Sequence, residues 1–362
     1  MEGKKIIMAG SNNYLGLTAH PYVKEKAIEA IKKYGTSCSG SRYLTGTIDL
    51  HVELEAKLAK FMGKESALLF STGFQTGQGV IQPLVRRHDT LISDKENHAS
   101  IVAGNMLAKG TGGTSILRYK HCDMADLEIK LKAARADNEH GILVVVDGVF
   151  STFGEIAPLD DINKLANKYN AQTLVDDAHA FGVIGEGGKG SASHFGLEND
   201  IDLTLCTFSK TLASIGGFVV GDERVINYLK HHSPALIFSA SPSPASVASA
   251  SAALDVLIEQ PELSEKLRNN AQYIRDGLID LNFEIIDGET AIVPVLIRDD
   301  DKAFLLWKEL FDDGVFVNVF VSPATPPGKA MMRNSFMASH TKEHLDKVID
   351  AYAKAGKKLG II

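Results

Sequence analysis

The sequence predicts an α/β fold, a large and mostly parallel sheet covered by helices and followed by a smaller α+β domain. Three observations carry this expectation. Apolar runs of strand length recur at 66–71, 90–93, 141–146, 173–176, 203–207 and 217–220, with helical spacing between most of them. Strands so uniformly apolar belong to a sheet buried on both faces. From about residue 260 the texture changes to one long amphipathic helix and shorter strands, and 362 residues exceed a typical single domain.

In chain order, residues 4–9 read as a short strand, and Ser11 to Leu17 as a polar turn. Val23, Ala27, Ile31 and Tyr34 recur at helical spacing. The loop from Gly35 to Thr47 is rich in small residues, which permit close backbone approach; with Arg42 and Tyr43 inside it, it reads as a structured functional loop rather than a flexible connector. Leu50, Leu54, Leu58 and Phe61 mark a helix that Gly63 can end. After the 66–71 strand, Thr72-Gly73-Phe74 opens the next helix, and a helix carrying Ile162, Leu165 and Tyr169 leads into the 173–176 strand.

In the last third, Leu267, Ala271, Ile274, Leu278 and Leu281 share one helix face. Strands at 283–286 and 291–297, a helix around 305–310, a strand at 333–337 and a helix from Thr341 follow. The expected division is an N-terminal segment (1–40) serving the active site and the small domain, a large domain (41–260) and a small domain (261–362).

Composition narrows the function classes. The net charge is −7, with no basic block, which argues against nucleic acid as a partner. Three cysteines far apart in the chain read as free thiols of a reducing compartment. No run of about 18 apolar residues suggests a membrane span, and residues 1–7 lack the apolar core of a signal peptide, so the expected location is the cytoplasm.

The chemistry concentrates between Val175 and Gly217. Lys210 follows an apolar strand, where lost hydration frees an amine as a nucleophile; a surface lysine at a helix start is the alternative. Asp176 ends the neighbouring strand, placed to pair with a protonated pyridine nitrogen as in pyridoxal phosphate (PLP) enzymes; helix N-capping is the alternative for Asp176-Asp177. His179 follows three residues on and can bond a phenolic oxygen. His98 ends another strand and can stack on a ring, Gly73 and Phe74 offer amides to a phosphate, and Arg333 can grip a carboxylate. No cluster has metal-ligand spacing along the chain, His121-Cys122 and His231-His232 being too sparse, and no Gly-x-Ser-x-Gly elbow is present.

With Asn12-Asn13-Tyr14-Leu15-Gly16-Leu17, Asn97-His98-Ala99-Ser100, Asp147-Gly148-Val149-Phe150-Ser151, Asp176-Asp177-Ala178-His179 and Thr207-Phe208-Ser209-Lys210 assembled in this order, the chain resembles the α-oxoamine synthases. These are fold-type I PLP enzymes that join an amino acid to an acyl-CoA thioester with loss of carbon dioxide. Gly40 to Thr47 and the stretch from Pro323 to Thr341 look most like those of bacterial serine palmitoyltransferases.

The resemblance implies a seven-stranded large domain and a homodimer with shared active sites. It implies Lys210 as the lysine that binds PLP covalently, Asp176 at the pyridine nitrogen, His179 and Thr207 at the phenolic oxygen and phosphate, and His98 on the ring. Gly73, Phe74, Ser209 and Ser151 would complete the cofactor contacts, with a serine of the Ser239–Ser241 loop, Ser241, reaching over from a second subunit. Asn13 and Arg333 would address the substrate carboxylate. L-Serine and a long acyl-CoA are the implied substrates of this sphingolipid-type chemistry. Glycine or alanine with another acyl-CoA is the alternative, as in 2-amino-3-ketobutyrate CoA ligase or 8-amino-7-oxononanoate synthase; an aminotransferase is a more distant one. The chain begins near the first strand, without the helical segment usual at the start of relatives, and Val321 stands where some members carry an arginine. Membrane contact, if any, would be peripheral.

Overall fold

The structure, a computed structural model, describes Gly3, 5–137 and 140–362. It divides into two compact units. The larger comprises Leu17–Phe150 and Ala157–Glu259; the other comprises Met1–Gly16, Ser151–Ile156 and Gln260–Ile362.

The larger unit is built on seven strands: β1 (Ser66–Phe70), β2 (Thr90–Asp94), β3 (Ser115–Tyr119), β4 (Ile142–Asp147), β5 (Gln172–Asp176), β6 (Leu203–Thr207) and β7 (Gly217–Gly221). Their order in the sheet is β1-β7-β6-β5-β4-β2-β3, parallel except for β7, which runs antiparallel to both of its neighbours. Side chains alternate along each strand and feed two cores. Leu143 and Val145 pack into one with Val80 and Ile101, whereas Ile142, Val144 and Val146 pack into the other with Leu127 and Ile162. Each such side chain taken out of water contributes about 1.5–3 kcal/mol, so these apolar strands hold the framework from which polar residues project.

Six of the seven strands fall where the apolar runs place them. The seventh, β3, lies at the sheet edge, where Ser115 and Arg118 are exposed and break the run. Asp49–Met62 is helical and ends at Gly63, whose φ of 67° is the left-handed cap that favours glycine. The small-residue loop is structured: Ser41 bridges Ala240, and Arg42 is buried in an ion pair with Glu55 at 2.8 Å. Arg42 also bonds Thr47, so its role is to pin the loop to the helix below.

The smaller unit carries a four-stranded antiparallel sheet in the order Asn318–Phe320, Met331–Ser335, Ile292–Leu296, Glu284–Ile285. Helices Glu262–Asp280, Asp300–Asp312 and Lys342–Lys358 pack on it through Ile274, Leu278, Leu306, Leu310 and Val348. Near the N-terminus, among the described residues, only Ile7–Met8 is strand, paired in parallel with Val315–Phe316; position 4 of the expected strand lies outside the described residues, as do positions 1, 2 and 4 of the segment read for a signal peptide. No described helix is long and apolar enough to cross a membrane.

Candidate active site

In the larger unit the carboxyl ends of the parallel strands surround a cavity of about 350 Å³. Sheet order dictates its content. β4, β5 and β6 are adjacent, so Asp147, Asp176 and Thr207 end side by side, and the β6–β7 loop adds Ser209 and Lys210. Two helix starts close the rim: Gly73 and Phe74 open Gly73–Leu84, and His98 caps Ala99–Gly112.

Lys210 begins no helix. It sits, partly buried, in a tight loop held by Phe208 N–H on the Gly216 carbonyl at 2.9 Å and by Thr211 Oγ1 on the Phe181 carbonyl at 2.7 Å. Asp176 is buried, and its Oδ1 accepts the Ala178 N–H at 3.0 Å. Burial raises its pKa, while Lys210, that amide and His98 pull it back down. A cation placed against Asp176 would favour the carboxylate further. His179 is buried and lines the same wall.

His98 Nδ1 accepts the Ser100 N–H at 3.2 Å, so a proton on the neutral ring belongs to Nε2. Burial lowers its pKa, Asp176 opposing and Lys210 reinforcing, and the ring is presented to the cavity as neutral imidazole. Thr72 caps the Gly73 helix by accepting the Gln75 N–H at 3.1 Å, which leaves the first-turn amides directed out of the helix end. A Cβ on Gly73 would meet Thr207 Oγ1 at 2.5 Å, so only glycine lets this helix end approach the strand. Thr207 Oγ1 in turn lies 2.9 Å from Ser209 Oγ.

The helix-capping alternative does not hold at Asp177. No helix starts there; the buried carboxylate accepts from Ser191 N–H at 2.9 Å and from the Ser191 hydroxyl, and burial pushes its pKa up to about 7. Sequence reasoning also passed over Asp147, which lines the cavity. Its Oδ2 accepts the His98 N–H at 3.0 Å, its Oδ1 has no hydrogen-bond partner among the described residues, and burial with Asp176 alongside raises its pKa strongly. An acid ending a core strand, as Asp176 does, was the available signal.

Asn13, Ser151 and Arg333 belong to the smaller unit. There Arg333 is buried, with Nε donating to the Ser151 carbonyl at 2.6 Å and Nη1 to Asn12 Oδ1 at 3.3 Å. No described carboxylate forms a salt bridge with it. Ser241, in the larger unit, is not among the cavity residues; its buried Oγ has no partner among the described residues.

An amine, a buried acid, an imidazole face and a helix N-terminus on one wall form the donor set that PLP needs: a covalent anchor, a partner for the pyridine nitrogen, a stacking group and an anion cradle. The residues fit the cofactor. A family model, aminotransferase class I and II, matches residues 4–351. The chain is 46% identical to a serine palmitoyltransferase of Sphingobacterium spiritivorum over 361 residues, covering 100% of this chain and 89% of that protein. It is 44% identical to an 8-amino-7-oxononanoate synthase of Thermoanaerobacter pseudethanolicus, covering 100% of this chain and 90% of that one. A solved structure of SPT (serine palmitoyltransferase) with the PLP internal aldimine superposes with a TM-score of 0.95 at 36% identity, covering 99% of this chain and 89% of the other.

The fold and site define a fold-type I PLP enzyme. The chain belongs to the aminotransferase class I and II family and, within it, to the α-oxoamine synthases, which are PLP-dependent C-acyltransferases.

Proposed function

We propose that this enzyme condenses L-serine with a long-chain acyl-CoA to give an aminoketone of the 3-ketosphinganine type. The Cα–carboxylate bond and the thioester carbon–sulfur bond break, one carbon–carbon bond forms, the Cα proton is removed and later restored, and one proton taken from solvent lets coenzyme A leave as the thiol. The observation that carries the reading is the single cavity wall that joins Lys210, Asp176 and His98. Several relatives at 44–46% identity bear the serine palmitoyltransferase name, which supports serine as the amino acid.

When bound, PLP withdraws electrons from the amino acid's Cα and so makes C–H cleavage, acylation and decarboxylation accessible at neutral pH. Lys210 would be the covalent anchor, and its Nζ the group that takes and returns the Cα proton. Asp176 keeps the proton on the pyridine nitrogen, which is where most of the electrostatic stabilisation arises. His98, neutral and held through Nδ1, covers the ring face. His179 and Thr207 hold the phenolic oxygen and phosphate, and Gly73, Phe74, Ser209 and Ser151 complete the cofactor contacts.

Asn13 and Arg333 take the substrate carboxylate. Arg333 suits this because its hydrogen-bond partners, the Ser151 carbonyl, Asn12 and the Tyr14 phenol, are neutral, which leaves its charge for an incoming anion. The working form is a homodimer in which Ser241 reaches the partner's phosphate. The unpartnered Ser241 Oγ and the exposure of Phe238 (85%), Leu44 (74%) and Ile215 (64%) support that reading. The enzyme serves sphingolipid-type synthesis in the cytoplasm, consistent with three free cysteines, and any membrane contact is peripheral.

The second reading, glycine or alanine with another acyl-CoA, has its own support in the 44% identity to an 8-amino-7-oxononanoate synthase. Coenzyme A release across a panel of amino acids and acyl-CoAs decides between them. Release with serine and palmitoyl-CoA above all other pairs is expected. Faster release with alanine and a shorter dicarboxylic acyl-CoA would overturn the serine assignment.

A further inference from the structure

Three residues that the PLP site does not use converge at the ends of β2 and β3. Asp94 is the last residue of β2, and His121 and Cys122 follow β3 in the turn after Tyr119. Because β2 and β3 pair in parallel with Asp94 opposite Tyr119, the turn brings its side chains over the carboxylate. One ligand atom from each of the three lies within 4.8 Å of the others.

The three groups lie near the spacing of a coordination shell. His121 Nδ1 lies 3.1 Å from Asp94 Oδ1, and Cys122 Sγ lies 3.8 Å from both His121 Nδ1 and His121 Nε2, off the lone-pair direction of either nitrogen. Around a tetrahedral zinc, bond lengths of about 2.0–2.3 Å place nitrogen and oxygen about 3.4 Å apart and nitrogen and sulfur about 3.6 Å apart. Binding therefore needs Cys122 Sγ to swing to the Nδ1 side of the ring, a rotation that its partly exposed side chain permits.

The ligands are also braced. Asp94 is fully buried; its Oδ1 accepts the Glu96 N–H at 2.8 Å and its Oδ2 the Cys122 N–H at 2.9 Å. The His121 ring stands edge-on to Phe150, with centroids 4.3 Å apart. Cys122 is held at φ 50°, a left-handed backbone that a cysteine does not favour by itself, and this aims its thiol at the imidazole. His121 and Cys122 are partly exposed, which leaves a route for the ion and a fourth position for water.

We propose that Asp94, His121 and Cys122 form a binding site for a borderline divalent cation of the zinc class, with solvent as the fourth ligand. A carboxylate, an imidazole and a thiolate select zinc or cobalt over magnesium or calcium, which prefer all-oxygen shells. Binding forms metal–sulfur, metal–nitrogen and metal–oxygen bonds and breaks the thiol S–H, whose proton goes to solvent; no electron is transferred. The site is separate from the PLP cavity, none of its three residues lining that cavity.

The test is titration of the PLP-loaded enzyme with cobalt(II) chloride, read by visible absorption beyond the cofactor's own band and by metal content after gel filtration. One cobalt per chain, with intense tetrahedral bands and a sulfur charge-transfer band, is expected in the wild type and in Cys38→Ser. Cys122→Ser should lose the charge-transfer band, and His121→Asn should weaken binding at least tenfold. His121→Asn leaves the thiol in place, so it decides the matter even if Cys122→Ser fails to fold. No uptake by the wild type, weak octahedral bands only, or uptake unaffected by either substitution would overturn the site.

Discussion

Asp147 and Asp176 are register partners across adjacent parallel strands, so two buried carboxyl groups end side by side at the floor of one cavity. Burial raises the pKa of both, and Asp176 adds to the rise at Asp147, whereas Lys210 and His98 pull Asp176 back. The pair therefore divides its work: Asp176, drawn back by Lys210 and His98, is the carboxyl set to face a cation, and Asp147, pushed harder towards its neutral form, holds the His98 backbone.

This division predicts unequal effects of equal substitutions. Asp176→Asn removes the charge and should lower the rate of coenzyme A release by roughly 100- to 1000-fold. Asp147→Asn keeps an oxygen for the His98 N–H and should cost less than about tenfold. Asp147→Ala releases that amide and, by displacing the imidazole, should cost about 100-fold. Equal losses in the two asparagine variants would contradict the division.

Gly73 is required by space at the helix end. Gly73→Ala would drive a Cβ to 2.6 Å from Thr207 Cβ, part of a short side chain bonded to Ser209 and the Gly216 carbonyl. Overpacking of this kind costs about 1–3 kcal/mol; drawing the helix end back to relieve it would take its amides off the phosphate, so the cofactor dissociation constant should rise roughly 10- to 100-fold. Fluorescence titration with PLP measures it; unchanged affinity would remove Gly73 from the phosphate cradle.

His340 gives the smaller unit a defined pH response. It is buried, its Nδ1 accepts the Met337 N–H at 3.2 Å, and burial with His344 nearby holds its pKa down at about 4. Unfolded, it takes up a proton near 6.5, its ordinary value. Between these values the unfolded chain binds more protons, so this contribution is complete above pH 6.5 and lost as pH falls towards 4. The loss amounts to roughly 3 kcal/mol at most. Urea midpoints at several pH values should fall more steeply in the wild type than in His340→Asn; parallel slopes would contradict the assignment.

What the sequence made legible follows from where burial is uniform. β4, β6 and β7 are buried along their whole length, so their apolar runs stand out, and the polar residues that end β4 and β6 mark the cavity. β3 was hidden because an edge strand mixes exposed and buried positions. Arg42 sits in a loop that reads as functional, yet its partner is Glu55, thirteen residues away on a helix face that no local pattern reveals. Asp177 looked like a cap because capping is the commonest use of an acid after a strand; its partner, Ser191, comes from a later turn. The Asp94, His121 and Cys122 cluster has no spacing signature, since parallel pairing joins residues 27 and 28 positions apart.

Lys210 is the expected anchor of PLP in the cavity at the ends of β4, β5 and β6. Absorption spectroscopy of purified Lys210→Ala with added PLP, run beside coenzyme A release, tests it most directly. The expected result is a folded protein that lacks the visible band of lysine-bound cofactor and shows no turnover with serine and palmitoyl-CoA. A normally coloured, active Lys210→Ala enzyme would contradict the account.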